Sequence, residues 1–216
     1  TLMNILAGVI PGDKGKVTID ETAREVEGTA LTMDSRIAFI HQELALINDL
    51  NIYENLFLGT ELKKYGKLDK KEMHKRAKEI LNTMEINLSP NTLVCDLDAS
   101  YKQTIEIARA LMKEAKVIIM DEPTTALTNI EIEHMFRIMK GLQAKGVSFV
   151  FISHKLNEVV EICDSYTVMR DGYVVGYGNV TEEITEESLA CLMVGKCLQY
   201  DDLYQIGSMA LVFAVE

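Results

Sequence analysis

Two adjacent carboxylates, Asp121 and Glu122, close the apolar run Val117-Ile118-Ile119-Met120, and Pro123, Thr124 and Thr125 follow at once. In an open α/β sheet, ligands bind beyond the carboxyl ends of the strands. An aspartate at such an end holds a magnesium ion, directly or through water. A neighbouring carboxylate orients and deprotonates an attacking water. Taken alone, the pair is equally two acids favoured by a helix dipole. His154 ends the next apolar run, "VSFVFISH", and Gln42 ends the earlier run "IAFIHQ". Parallel neighbours deliver their carboxyl ends to one rim, so His154 should meet Glu122 there and bond a terminal phosphate. A lone strand-end histidine is also readily a structural group bonded to backbone. The Gln42 amide should ligate the metal or position a water. Thr1 opens a helix expected to follow a strand, and a helix N-terminus attracts anions.

These groups need strands to carry them. Leu2, Ile5, Leu6 and Val9 repeat at helical spacing, and Gly8, Pro11 and Gly12 break the pattern. Strands are expected at Gly15–Asp20 and within Arg36–Glu43. Helices are expected at Lys70–Glu85 and Gln103–Lys113. From "KVIIMDE" onward strand and helix alternate: a helix over Ile130–Lys145, a strand over Val147–His154 and a helix over Lys155–Cys163. Two strands joined by Asp171-Gly172 and a helix from about Glu186 to Val194 complete the pattern. Alternation with unbroken apolar strands implies an α/β fold, a parallel sheet covered on both faces. The helical stretch from about 45 to 110 lies between two sheet strands and is expected to be an inserted subdomain. A C-terminal β-hairpin plus helix follows the core.

Bulk properties narrow the function. Net charge is −11 with no dominant basic patch, which argues against a nucleic-acid partner. Lys63 to Lys78 is locally basic but interrupted by Asp69 and Glu72, and reads as a solvated helix face. Cys95, Cys163, Cys191 and Cys197 form neither a C-x-x-C pair nor a zinc spacing, which suits a reducing, cytosolic setting. His41, His74 and His134 are dispersed and suggest no special role. No apolar run approaches the roughly 20 residues that cross a bilayer, so a membrane role would come through a partner.

The ordered segments "HQEL…ENLFLG", "LDASYKQTIEIARAL", "VIIMDEPTTALT" and "FISHKLNEV" resemble the ATP-binding subunits of ABC transporters, and in particular the sugar importers that fuse two such domains in one chain. The likeness runs from Thr1 to about Gly195. It implies a P-loop NTPase-type core with ATP and Mg²⁺ as cofactors. Asp121 would hold Mg²⁺ through water and Glu122 would be the general base. Thr124 to Thr128 would contact the opposing ATPase half. His154 would sit on the γ-phosphate, and Gln42 would link the metal to the transmembrane partner. Thr1 would lie just past the phosphate loop. Ser100 and Tyr101 occupy signature positions that would serve nucleotide held by the other half.

Two departures follow from the same resemblance. The G-x-x-x-x-G-K-[ST] loop is not in this sequence, so the chain alone is expected to be inactive and to bind ATP poorly. Where the family reads L-S-G-G-Q, this chain has Leu97-Asp98-Ala99-Ser100-Tyr101. Asp98 would bring negative charge toward a phosphate, and Ser100 offers a substitute donor. An asymmetric pair of sites is therefore expected. Both ends read as cut. Residues 1–197 are expected to form the ATP-binding domain, and 198–216 a linker and the first strand of a second ATPase half, with a terminal strand of this same domain as the alternative. The function implied is an ATPase on the cytoplasmic face of the membrane that drives a permease importing a sugar or similar solute, served indirectly by a solute-binding protein. The rival is a soluble ABC-type ATPase acting on DNA or ribosomes, which the charge and the compact insertion oppose. A non-enzymatic interaction domain is the third reading, opposed by the acid pair and His154.

Overall fold

A computed structural model of the chain describes residues 2–6, 10–19, 22–27, 36–42, 44–195 and 211–215. Three strands form the part of the sheet that matters here: β3 (Ile37–Ile40), β6 (Val117–Asp121) and β7 (Ser148–Ser153). They lie side by side and parallel, with Ile40 opposite Met120 and Met120 opposite Phe151. Both faces of β6 are buried, which explains its unbroken apolar run. Ile118 and Met120 enter the main core, while Ile119 packs with Ile152 and with Met3 of the short helix α1 (Leu2–Leu6).

Beyond β7 the sheet continues through β10 (Leu211–Val215), β8 (Ser165–Arg170) and β9 (Tyr173–Asn179). Asp171 and Gly172, both with positive φ, make the two-residue turn between β8 and β9 that the dipeptide signals. β10 pairs antiparallel with both β7 and β8. Here the structure differs from the favoured expectation for the C-terminal segment. β7 and β8 run parallel and leave a strand-wide gap, and unpaired edges on both sides of it would be costly. The apolar segment "LVFAV" fills that gap.

A second difference lies near the start. β1 (Lys14–Ile19) was expected, but it is half of an antiparallel hairpin with β2 (Thr22–Glu27). The "TAREVE" of β2 alternates too weakly in polarity to read as a strand.

The inserted subdomain comes between β3 and β6. It holds α2 (Ile52–Leu56), a small hairpin of β4 (Lys63–Lys64) and β5 (Lys67–Leu68), α3 (Lys70–Thr83) and α4 (Ala99–Met112). Each helix has a local start signal. The Glu54 carboxylate accepts the Asn51 N–H at 3.1 Å, Asp69 accepts from Glu72 N at 3.1 Å, and Asp98 accepts from Tyr101 N at 2.9 Å. Met73, Ala77 and Leu81 bury one face of α3. Asn55, fully buried, accepts the Ile47 N–H at 2.8 Å and donates to the Ile47 carbonyl at 3.0 Å, fixing the chain as it leaves β3.

The subdomain is not a separate body. Its Ile52, Leu56, Leu81, Ile105 and Ile107 share one core with Ile118, Met120, Phe149 and Phe151 of the sheet. Met135, Phe136 and Met139 of α5 (Asn129–Gln143) close that core, with the Phe136 and Phe151 rings edge to face at 5.9 Å. α6 (Leu156–Ile162) and α7 (Glu186–Val194) complete the fold.

Ile118→Ala should therefore cost about 2–5 kcal/mol in urea unfolding, through lost burial and a residual cavity. Ile130→Ala, at a side chain 80% exposed on α5, should stay within about 0.5 kcal/mol of wild type.

Candidate functional site

The rim is set by backbone. Asp121, the last residue of β6, stands opposite Ile152, and the Glu122 N–H continues the ladder by donating to the Ile152 carbonyl at 2.9 Å. Glu122 then turns the chain with φ at +46°, a left-handed conformation that costs a non-glycine residue about 1 kcal/mol. That turn carries its side chain to the end of β7. His154 Nδ1 lies 3.1 Å from Glu122 Oε1. The Thr125 hydroxyl donates to the Glu122 carbonyl at 3.1 Å and lies 3.3 Å from the carboxylate Oε2. The pair is accessible, with the His154 side chain 53% exposed and that of Glu122 33%. As an ion pair it contributes little to stability. Its value is geometric: the carboxylate is held, and His154 Nε2 remains for a ligand.

Asp121 is half-buried beside Glu122. Burial, and then the Glu122 charge, push its carboxyl above the usual aspartate range, while His41 opposes the shift. His41 is a rim residue that the sequence reading passed over. It sits one residue beyond the Ile40–Met120 pairing, and the Phe39 ring lies 4.2 Å from its own. The signal was present in "FIHQ", where two polar residues, not one, end the strand. Gln42 follows His41 and is exposed. Thr1 lies outside the described residues.

Ser100 and Tyr101 are elsewhere, in the first turn of α4. Ser100 is 3% exposed and its hydroxyl donates to Asp98 Oδ1 at 3.1 Å. Asp98 also takes the Tyr101 N–H, and the Tyr101 ring meets His134 edge on at 5.8 Å. Asp98 thus acts as a helix cap and engages the donors nearest to it.

A buried network beneath the rim was not anticipated. Glu158, 2% exposed on α6, accepts from the Thr124 hydroxyl at 2.6 Å and from the Ser153 hydroxyl at 3.4 Å. Its other oxygen pairs with Lys155 Nζ at 3.1 Å, and that ammonium also donates to the Thr124 carbonyl at 3.1 Å. The Lys155 N–H donates to Ser153 Oγ at 3.0 Å. The segment after Glu122 and the segment after His154 are tied to one carboxylate. Glu158 lies four residues past His154, and only the fold reveals that Thr124 reaches it.

The donor set fits magnesium. Asp121 is an oxygen donor whose charge is disfavoured by its surroundings, and a cation relieves that. The Gln42 carbonyl at the neighbouring strand end is a second hard donor. Among the described residues no cluster of three or more His, Cys, Asp or Glu side chains is placed to hold a metal.

The family model for ABC transporters matches residues 1–125. A ribose import ATP-binding protein of Clostridium perfringens is 42% identical over 98% of this chain and 43% of its own length. A xylose import ATP-binding protein of Thermoanaerobacter pseudethanolicus is 42% identical over 91% of this chain and 39% of its own length. Among solved structures, a dimeric ATP-binding cassette in a post-hydrolysis state with ADP and phosphate is similar at 26% identity and a TM-score of 0.64, covering 83% of this chain and 79% of that one. The chain spans about two-fifths of the length of the curated relatives it matches.

Two predictions follow from the geometry. Asp121 has a folded pKa above its unfolded value, so the folded state binds the proton more tightly and loses stability as pH rises through the carboxylate range. Asp121→Asn should raise the melting temperature at pH 7, and the gain should vanish below about pH 4, where the unfolded aspartate is also protonated. Glu158→Ala leaves the Thr124 hydroxyl without its acceptor and Lys155 with only the Thr124 carbonyl, and should cost about 3 kcal/mol in denaturant unfolding, with Glu158→Gln losing less.

Proposed function

The chain belongs to the ABC transporter family, and from that premise we propose that Asp121, Glu122 and His154 are the hydrolytic rim of an ATPase that drives import of a sugar or similar small solute. The observation that carries the reading is the 3.1 Å approach of His154 to Glu122 at the ends of adjacent parallel strands. Glu122 takes the proton of a water aimed at the terminal phosphate. Thr125 and His154 hold its carboxylate in place for that transfer. In its imidazolium form His154 donates Nδ1–H to Glu122 and Nε2–H toward the charge that develops on the phosphate oxygens. Asp121 and Gln42 hold Mg²⁺, which neutralises phosphate charge when bound. The relatives named as ribose and xylose import proteins support a sugar as the transported solute.

The partners belong to the same reading. Residues 1–197, with β10 seated in their sheet, form the ATP-binding domain, and a second ATP-binding half is supplied by the same polypeptide or a dimer. Thr125 to Thr128, together with Tyr101 at the start of α4, face that half, while Thr124 and Ser100, both buried, brace the turns that present them. Thr1 belongs to the phosphate-binding end. The helical subdomain docks on the permease at the cytoplasmic face of the membrane, and a solute-binding protein acts through the permease.

The test is ATP turnover by the protein assembled with its permease and carrying both ATP-binding halves. Glu122→Gln should lower kcat by about 10²–10⁴-fold while ATP remains bound. Turnover within a few-fold of wild type would remove Glu122 from the base role.

A further inference from the structure

The acidic chain carries one strongly basic surface. Between Lys63 and Lys78 there are seven lysines and one arginine against Asp69 and Glu72, a local charge of +6 in a chain of −11. The remainder therefore carries −17. The structure divides this segment into the β4–β5 hairpin and the first turns of α3. Both parts line one open cleft, formed by Lys64 of the hairpin with Lys71, His74 and Lys75 of the helix, and by Asp69 and Glu72. The two acids are engaged locally: Asp69 caps α3, and Glu72 accepts from Arg76 at 3.0 Å. Lys75 holds Glu79 loosely at 3.8 Å. Among the described residues Lys64, Lys67, Lys70, Lys71 and Lys78 have no carboxylate within 4.0 Å, and all are exposed.

The hairpin tip adds a second feature. Tyr65 and Gly66 form its turn, with φ at +51° and +77°. Tyr65 is 95% exposed, with the Lys64 ammonium 5.9 Å from its ring centroid. Leu58 before the hairpin and Leu68 within it are exposed as well. An aromatic tip, flanking aliphatics and a ring of lysines suit a lipid interface, where the apolar groups enter the headgroup layer and the cations meet anionic headgroups. A nucleic-acid surface would use the cations and the ring but not the leucines.

We propose that the β4–β5 hairpin and its lysine-lined cleft form a contact surface for anionic lipid headgroups, seating the helical subdomain against the membrane. The proposal rests on the transporter reading for its setting and adds a direct lipid contact to the docking on the permease. It also gives a use for the concentrated charge: the rest of the acidic chain is repelled by an anionic surface, so binding orients this face toward it.

The test is co-sedimentation of the full chain with phosphatidylcholine vesicles containing one-third phosphatidylserine, at low and high salt, beside vesicles of phosphatidylcholine alone. Binding should appear with the anionic vesicles, fall at high salt and be absent with the neutral ones. Each lysine near an anionic surface counts for about five-fold in partition, so Lys64→Glu, Lys71→Glu and Lys75→Glu together should lower it by about 100-fold or more. Tyr65→Ala should weaken binding several-fold at unchanged charge. Charge reversal at Lys16, Lys113 and Lys140 should leave more than a tenth of wild-type binding, and circular dichroism verifies folding of each variant. Equal binding to neutral vesicles, equal loss in the two charge-reversed variants, or capture of single-stranded RNA with no vesicle binding would overturn the proposal. Vesicle binding is read without ATP turnover, so its failure leaves the hydrolytic reading standing, and a failed Glu122→Gln result leaves the vesicle result standing.

Discussion

Parallel pairing of β3, β6 and β7 is the constraint on which everything else depends. It brings three carboxyl ends to one rim in a fixed register, so that Glu122 and His154 are neighbours although 32 positions separate them. The hydrogen bond from the Glu122 N–H to the Ile152 carbonyl extends that pairing one step beyond the strand. It also holds Glu122 in a backbone conformation that an unsupported residue would leave. A side chain placed by a ladder is placed more firmly than one placed by a loop, which suits a carboxylate that must meet a water in one orientation.

Below the rim, stability and chemistry are supplied by different groups. The apolar faces of β6 and β7 and the helices α4 and α5 bury the sheet. Asp121, in contrast, is a half-buried acid beside another acid, disfavoured by its own surroundings. Proteins retain such groups where a ligand later compensates them. Glu158 mediates between these layers. It is a buried carboxylate satisfied by Thr124, Ser153 and Lys155, and it joins the segment that follows Glu122 to the segment that follows His154. A displacement of either segment is felt by the other. The subdomain shares the same core, and Arg109 of α4 donates to the Ala45 carbonyl at 3.0 Å, close behind Gln42.

Much of this was legible in the sequence, for physical reasons. Unbroken apolar strands ending in polar residues announce a buried parallel sheet with its ligand rim, and Asp121, Glu122 and His154 were found that way. Asp171-Gly172 announced its own turn. What the sequence hid was long-range or patternless. The partnership of Thr124 with Glu158 spans 34 positions and has no periodic signature. His41 was passed over because one strand-end polar residue, Gln42, already filled the role sought. β2 was missed because its charged residues blur the alternation of a strand. The insertion of β10 between β7 and β8 depends on a gap in the sheet, which no local pattern records. The lysines of Lys63–Lys78 read as a solvated helix face until the hairpin and its exposed tyrosine placed several of them around one cleft.

The central claim is that these strand ends surround a single nucleotide tail, and paramagnetic broadening tests it most directly. Mn²⁺ with ATP, added to the intact protein in place of Mg²⁺, should broaden the resonances of Asp121, Gln42, Glu122 and His154 together. His74, in the lysine-lined cleft of the subdomain, should stay sharp. Broadening of the Asp121 and Glu122 signals with an unaffected His154 imidazole would contradict the account.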